Sequence, residues 1–300
     1  MNTWDVLLAK MRNFDVDHPS GHSDVEKWKR DSFLDDFDQL LNFRRNFLSG
    51  GTINPPDRPS FISRDLNYEN EKRRTFWFLR LFHRLSKLEL HSALRHKHFF
   101  KYYPDEQRNN FRRSSLFNNY LLDLPIRVSY YFSNVKHERK LEDESSILEI
   151  GGGFGALALL YCRQFPLDTY YLVDLPENLL LAYINLTQGG IPVATIDNVH
   201  ADFRGVILLT GDEIASVNKA DIFVNTMSFQ HMNLRNIEFF FSHLFRIQPK
   251  KMYFVNRLEK RDPTDISILD YPKNVNYRLK KQNRIFTHKH LEQVWERVDT

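Results

Sequence analysis

Four glycines fall between residues 151 and 155, directly after an acid, in the run Ser146-Ile147-Leu148-Glu149-Ile150-Gly151-Gly152-Gly153-Phe154-Gly155-Ala156-Leu157. The chain has only eleven glycines, so this clustering marks backbone that must turn sharply or let a ligand approach closely. An apolar run enters the turn and a helix-favouring run, Ala156 to Tyr161, leaves it. Strand, glycine turn and helix start together present bare backbone N–H groups, the arrangement that receives nucleotide-like ligands. Spacing alone leaves two ligands open. Gly151, Gly153 and Ala156 satisfy the dinucleotide fingerprint, in which alanine can replace the last glycine. Asp174, at the end of the next apolar run, suits a ribose in either case, because a carboxylate accepts two hydrogen bonds at once.

Three features favour a cationic ligand over NAD. Glu149 ends the first strand, where an acid is awkward beside a pyrophosphate but useful beside a cationic amino acid. No Arg or Lys lies between Gly151 and Leu160 to neutralise two phosphates. The turn itself reads Glu-x-Gly-x-Gly-x-Gly.

Glu149-Ile150-Gly151-Gly152-Gly153-Phe154-Gly155 resembles the first motif of the class I S-adenosylmethionine-dependent methyltransferases, and Tyr171-Leu172-Val173-Asp174-Leu175-Pro176 resembles their second. The resemblance implies S-adenosylmethionine as cofactor and S-adenosylhomocysteine as product. It places the glycines against the methionyl part, Glu149 towards the amino end, and Asp174, with Leu175 beside it, at the ribose hydroxyls. Gly211-Asp212-Glu213-Ile214 resembles the adenine-contacting turn of small-molecule O-methyltransferases, with Ala201-Asp202-Phe203 as the competing candidate.

Asp221-Ile222-Phe223-Val224-Asn225-Thr226-Met227-Ser228-Phe229-Gln230-His231, with Asp174 to Leu179 and Tyr253-Phe254-Val255-Asn256-Arg257, resembles the bacterial sugar O-methyltransferases over about residues 115–299. The implied reaction moves a methyl group to a hydroxyl of a sugar, nucleotide-linked or in a surface-polysaccharide precursor. A sugar hydroxyl is a weak acid, so it needs a base as the bond forms. His231 lies just past the fourth strand, at the edge where open parallel sheets bind ligands, and its ordinary pKa of about 6.5 leaves it able to accept a proton. The alternative is that His231 caps the next helix or only touches substrate. Gln230, Asn256 and Arg257 carry the hydrogen-bonding groups a sugar requires. Asn225 either touches the cofactor or anchors the loop. Magnesium is the second mechanism, but no paired acids occur in Thr226–Arg235, so no metal is expected. Other readings are a phenolic or other small-metabolite methyltransferase, an NAD-dependent sugar oxidoreductase, and a non-catalytic cofactor binder.

The elements that must position these residues alternate. Strands are expected at Ser146–Ile150, Thr169–Asp174, Val206–Thr210 (or Val193–Ile196 in its place), Ala220–Asn225 and Lys251–Asn256. Helices are expected at Phe154–Gln164, Pro176–Thr187 and Leu234–Arg246. Val275–Leu279 reads as a further strand and His288–Arg297 as a short helix. This pattern predicts an α/β, Rossmann-like fold: a mostly parallel sheet over residues 116–300, with helices on both faces. Residues 1–115 are expected to form an N-terminal helical cap region. Within it, residues 1–22 read as an irregular lead-in, with helices over 23–48 and 70–95 around a connector holding Pro55, Pro56 and Pro59. The second helix carries Arg73, Arg74, Arg80, Arg84 and Lys87 on what reads as a solvated face. His91, His96 and His98 cluster at its end, but only His91 and His98 share a face and no acid lies between them. A third helical stretch runs over Phe117 to about Arg139.

Composition bounds the rest. A chain of 300 residues with 42% hydrophobic and 27% charged residues is ample for a soluble core. A net charge of +4, from 42 basic against 38 acidic residues, is far from a nucleic-acid-coating surface, so the expected partner is a small-molecule or oligosaccharide acceptor. Cys162 is the only cysteine, which excludes a disulfide framework and fits a reducing compartment. No leader is evident, and no run approaches the ~18 apolar residues of a membrane span, so a cytosolic protein without stable membrane insertion is expected.

Overall fold

The chain alternates buried apolar runs with polar turns from Ser146 onward, and each run finds a neighbour in one sheet. The computed structural model describes residues 3–13, 128, 130–132, 134–135, 146–165, 169–260, 266–285 and 290–298. The chain divides into two compact units, one of Met1–Ser23 with Asn134–Thr300 and one of Asp24–Ser133. In the second, only 128 and 130–132 are described; they are helical, with Val128, Tyr131 and Phe132 buried. The helices expected over 23–48 and 70–95, the basic face and the histidines at 91, 96 and 98 lie outside the described residues.

The first unit begins with α1 (Thr3–Asn13), followed by β1 (Ser146–Ile150), α2 (Ala156–Gln164), β2 (Thr169–Val173), α3 (Pro176–Gln188), β3 (Val193–Thr195) and β4 (Gly205–Leu209). A 3-10 turn, Gly211–Ser216, leads to β5 (Ile222–Thr226), then a second, Phe229–His231, to α4 (Leu234–Ile247) and β6 (Lys251–Arg257). After the 3-10 turn Ile268–Asp270 come β7 (Tyr277–Ile285) and β8 (His290–Arg297). The eight strands lie in the order β3-β4-β2-β1-β5-β6-β8-β7. Six run parallel, and β8 and β7 close the sheet as an antiparallel pair, β8 against β6. The expected α/β Rossmann-like class holds, with a mixed sheet.

Alternation along each strand sorts the side chains by face. Leu148, Ile150, Phe223 and Phe254 join Phe229, Phe240, Phe241 and Tyr271 in one buried cluster that α4 covers. Phe241 stacks on Phe254 at 2° between planes, and Phe229 on Phe240 at 22°. Each such ring contributes about 1.5–3 kcal/mol by burial. On the other face Tyr161 of α2 packs on Tyr170 of β2, with ring centroids 6.4 Å apart.

Five boundaries or types differ from expectation. The strand expected at Val275–Leu279 is β7, Tyr277–Ile285, because pairing with β8 from Tyr277↔Arg297 to Ile285↔His290 sets its length. Residues 290–297 are a strand. Leu291 and Val294 are spaced like a helix stripe, but pairing with β6 from Lys251↔Glu296 to Arg257↔His290 decides the conformation. Residues 3–13 are a helix, because Val6 and Leu7 find an apolar seat, Trp4 meets Tyr183 at 6.0 Å, and Lys10 pairs with Asp197 at 2.7 Å and with Glu213. The helix after the glycine turn starts at Ala156 rather than Phe154, since Gly155 takes φ 72°, which no right-handed helix tolerates. Both candidates for strand three are strands: β4 pairs with β2, and β3 pairs outside β4. Among the described residues no helix is long and apolar enough to cross a membrane.

Candidate functional site

The parallel strands β1, β2, β4, β5 and β6 end at one edge, and Glu149, the glycine turn, Asp174, Asp212, Asn225, Gln230, His231, Asn256 and Arg257 sit on or just beyond those ends. The glycine turn leaves β1 with Gly151 N–H donating to the Val173 carbonyl at 2.7 Å, which ties the ends of β1 and β2 together. Gly151 has φ 76°, and a Cβ there would stand 1.9 Å from Ser228 Oγ. Ser228 therefore fills the notch that the missing side chain leaves. Gly153, at φ 57°, differs: a Cβ there would meet no atom of the described residues within 4 Å. Its open side is where a ligand can lie against backbone. Gly155 ends the turn against Leu186, Leu172 and Ala182, holding α2 close to α3 and β2.

Two carboxyl groups flank this turn. Glu149 is buried beneath Gly152 and accepts a hydrogen bond from Tyr170 Oη at 2.8 Å. Burial pushes its pKa up to about 7; the Tyr170 hydrogen bond opposes the rise and the Asp174 charge adds to it. Asp174 accepts from Gly153 N–H at 2.6 Å on Oδ2, and from Leu175 N–H and Asn178 Nδ2 at 2.7 Å each on Oδ1. The second acid thus braces the glycine turn against the start of α3. Leu175 is the buried residue that precedes that helix. Asp212 lies exposed in the first turn after β4, at the same edge. That turn is fixed by Glu213, whose Oε2 accepts from Thr210 N–H at 2.8 Å and Thr210 Oγ1 at 2.9 Å. The competing Asp202 precedes β4 and so lies at the opposite, amino-terminal edge.

The ends of β5 and β6 carry the third part. Asn225 is fully buried; its Nδ2 donates to the Ile150 carbonyl at 2.8 Å, and its Oδ1 accepts from Asn256 Nδ2 at 2.7 Å and Phe229 N–H at 3.4 Å. Asn256, also fully buried, accepts from Gln230 N–H at 3.3 Å. The two asparagines thereby hold the loop between β5 and α4. Met227 in that loop takes φ 62°, a left-handed conformation that costs a side-chain-bearing residue roughly 1–2 kcal/mol. It turns the chain so that Ser228 meets Gly151. His231 is exposed, with Nε2 3.1 Å from Gln230 Nε2. An amide NH2 only donates, so this contact is a hydrogen bond when the ring is neutral and Nε2 accepts. Gln230 Oε1 is buried without a hydrogen-bond partner. Arg257 is buried at the end of β6, and its charge lowers the Tyr271 pKa, which burial drives well above the usual tyrosine value.

Sequence reasoning did not single out Tyr170, Asn178, Ser228 or Met227. Asn178 was legible, four residues after Asp174 in the first turn of a helix. Ser228 and Met227 depend on how two strand ends meet, and no local pattern marks that. Among the described residues no three His, Cys, Asp or Glu side chains converge on a common point. Cys162 is free and half-buried, its pKa pushed up to about 12 by burial, so it is a poor nucleophile at neutral pH.

No family model matches the chain, and no curated protein matches it. Some solved structures are similar to part of the chain. The methyltransferase domain of bacterial CtHen1 is similar over 57% of this chain and 97% of its own, at 14% identity and a TM-score of 0.40. Magnesium protoporphyrin IX methyltransferase (ChlM) from Synechocystis PCC 6803, solved with bound SAM, is similar over 60% of this chain and 85% of its own, at 14% identity and TM-score 0.45. The same enzyme solved with bound SAH covers 66% and 97%, at 12% identity and TM-score 0.44.

Proposed function

We infer that the chain is an S-adenosylmethionine-dependent O-methyltransferase acting on a sugar hydroxyl, nucleotide-linked or in a surface-polysaccharide precursor. The observation that carries this reading is the pairing of an open glycine cradle at Gly153 with two carboxyl groups, Glu149 and Asp174, at one sheet edge. Such a seat suits a ligand that is cationic at its amino acid end and carries a diol at its ribose.

The residues present fit that cofactor. Gly153 would leave room for its backbone approach, Glu149 would receive its ammonium group, and Asp174 keeps acceptor capacity for ribose hydroxyls beside the bonds that brace it. Asp212, exposed in the turn after β4, would contact its adenine. When bound, the cofactor supplies an electrophilic sulfonium methyl. The chain's part is to bring an acceptor oxygen into line and to remove its proton. The acceptor hydroxyl displaces the Gln230 amide from His231 Nε2 and gives its proton to that nitrogen. Rotation of the Gln230 amide then offers Oε1, buried and otherwise unpartnered, to the new Nε2–H. Asn225 and Asn256 hold the loop still while this happens, and Arg257 orients polar groups of the acceptor. A reducing compartment fits the single unpaired thiol.

Parallel calorimetry with S-adenosylhomocysteine and NAD tests the assignment. Binding of S-adenosylhomocysteine and not NAD is expected; NAD binding alone overturns it. Transfer of labelled methyl groups into an extract of the producing organism, with the product identified, then tests the acceptor. A labelled phenol in place of a glycan would overturn the sugar reading.

A further inference from the structure

Glu149 has an unusual setting for a group that is to meet an ammonium ion. It is only 2% exposed, beneath the glycine turn, with the Tyr170 hydroxyl as its hydrogen-bond donor. Among the described residues, the titratable groups that face it are Tyr170 of β2 and Asp174 just beyond β2. Tyr161 and Cys162 of α2 lie behind Tyr170. On the β5 side the neighbour is apolar Val224, opposite Glu149 in the parallel register. No cation is among them.

We propose that the Glu149–Tyr170 pair is a proton latch for the cofactor: the carboxyl waits as the neutral acid, and an arriving ammonium group expels its proton to solvent. This rests on the methyltransferase reading. An isolated carboxylate in a buried site loses several kcal/mol of hydration, and the Asp174 charge opposes ionisation further. A neutral acid removes that loss, and Tyr170 holds its Oε2 in place. When the ligand's ammonium group reaches Oε1 or Oε2, the O–H bond of the acid breaks, the electron pair stays on the carboxylate, and the proton leaves to water. What forms is a carboxylate–ammonium pair. Binding is therefore coupled to proton release, and Glu149 selects ligands with a free amino group. The Glu149 pKa of about 7, raised chiefly by burial, agrees with this geometry.

The test is titration calorimetry at pH 6 in two buffers of different ionisation heat. With the carboxyl near pH 7 and a ligand α-amino group near 7.8, S-adenosylhomocysteine should release roughly 0.9 proton per site. Methylthioadenosine, the same nucleoside without the amino acid, should release none. Glu149→Gln should bind S-adenosylhomocysteine with the release abolished. In Tyr170→Phe the carboxylate loses a stabilising donor, so the pH at which release fades should move upward. Equal heats in both buffers for the unaltered protein, or unchanged release in Glu149→Gln, overturn the latch. An unmoved midpoint in Tyr170→Phe overturns the part given to Tyr170. Binding of S-adenosylhomocysteine without release sinks the latch alone, whereas its failure to bind sinks the methyltransferase reading beneath it.

Discussion

Single residues carry the discriminating chemistry here, and the glycines show how differently neighbours can act. Gly151 and Gly153 share a left-handed backbone, yet one faces Ser228 and the other faces open space. Gly151→Ala should lose roughly 1–2 kcal/mol from backbone strain and more from the clash with Ser228; adding Ser228→Gly should recover only the clash. Gly153→Ala should show the backbone loss alone in urea melts, while its affinity for S-adenosylhomocysteine falls at least tenfold. His231→Ala should lower kcat by ~10²-fold or more, with EDTA leaving the unaltered enzyme's turnover intact. A fully active variant would remove the base assignment. Glu149 makes a stability prediction. The unfolded carboxyl ionises near pH 4.5 and the folded one near 7, so the folded state keeps its proton longer. Stability from this group is therefore lost as pH rises from 4.5 to 7, by about 3 kcal/mol in all. Glu149→Gln removes that term. Its urea-melt stability relative to the unaltered protein should rise between pH 4.5 and 8, and a constant difference would contradict the buried neutral acid.

At the scale of elements, the loop between β5 and α4 is held by side chains from other strands. Asn225 bonds to the end of β1, to Asn256 of β6 and to the loop at Phe229. Two roles, cofactor contact or loop anchor, were open from the sequence, and this geometry favours the anchor. Asn225→Ala should leave buried polar groups of Ile150 and Asn256 without partners and destabilise by about 2–4 kcal/mol. If Asn225 is an anchor, kcat falls while S-adenosylhomocysteine affinity stays within a few-fold; a large loss of affinity with kcat retained would restore the cofactor role. The strand β8 teaches the opposite lesson about legibility. Its Glu292 is fully buried, with Tyr253 Oη at 2.8 Å and Lys281 Nζ at 3.2 Å. A charged residue inside an apolar run looks like the polar side of a helix until the partner strands are known.

At the scale of the whole molecule, the described part is a sheet whose two edges are guarded in different ways. On one side β3 is only three residues long; on the other β7 carries Arg278, Lys280, Lys281 and Arg284. Short or basic edges discourage pairing with other chains. The chain's first helix docks beside β3, joining residues remote in sequence to the same unit. Leu7, with no exposed surface, is the anchor of that contact. Leu7→Ala should destabilise by about 2–5 kcal/mol, whereas Lys10→Met, which removes the part-exposed ion pairs to Asp197 and Glu213, should cost about 1 kcal/mol or less. Equal effects in thermal melts would mean that α1 is held by charge rather than by packing.

The sequence by itself determined the strand–helix alternation from Ser146 to Arg257, the glycine turn and the acids beside it. These are local matters: hydrophobic period, glycine's freedom at positive φ and a carboxylate's two acceptors are all properties of a few consecutive residues. Only the tertiary structure decided that residues 290–297 are a strand, that residues 3–13 are a helix, and that Asn225 hydrogen-bonds to Ile150, Asn256 and Phe229. It alone joined Tyr170 to Glu149, twenty-one residues apart, and seated Ser228 in the notch at Gly151. Each depends on a surface or partner supplied from elsewhere in the chain. Burial is likewise a property of the assembled sheet, and burial is what turns Glu149 from an ordinary acid into one that holds its proton near neutral pH.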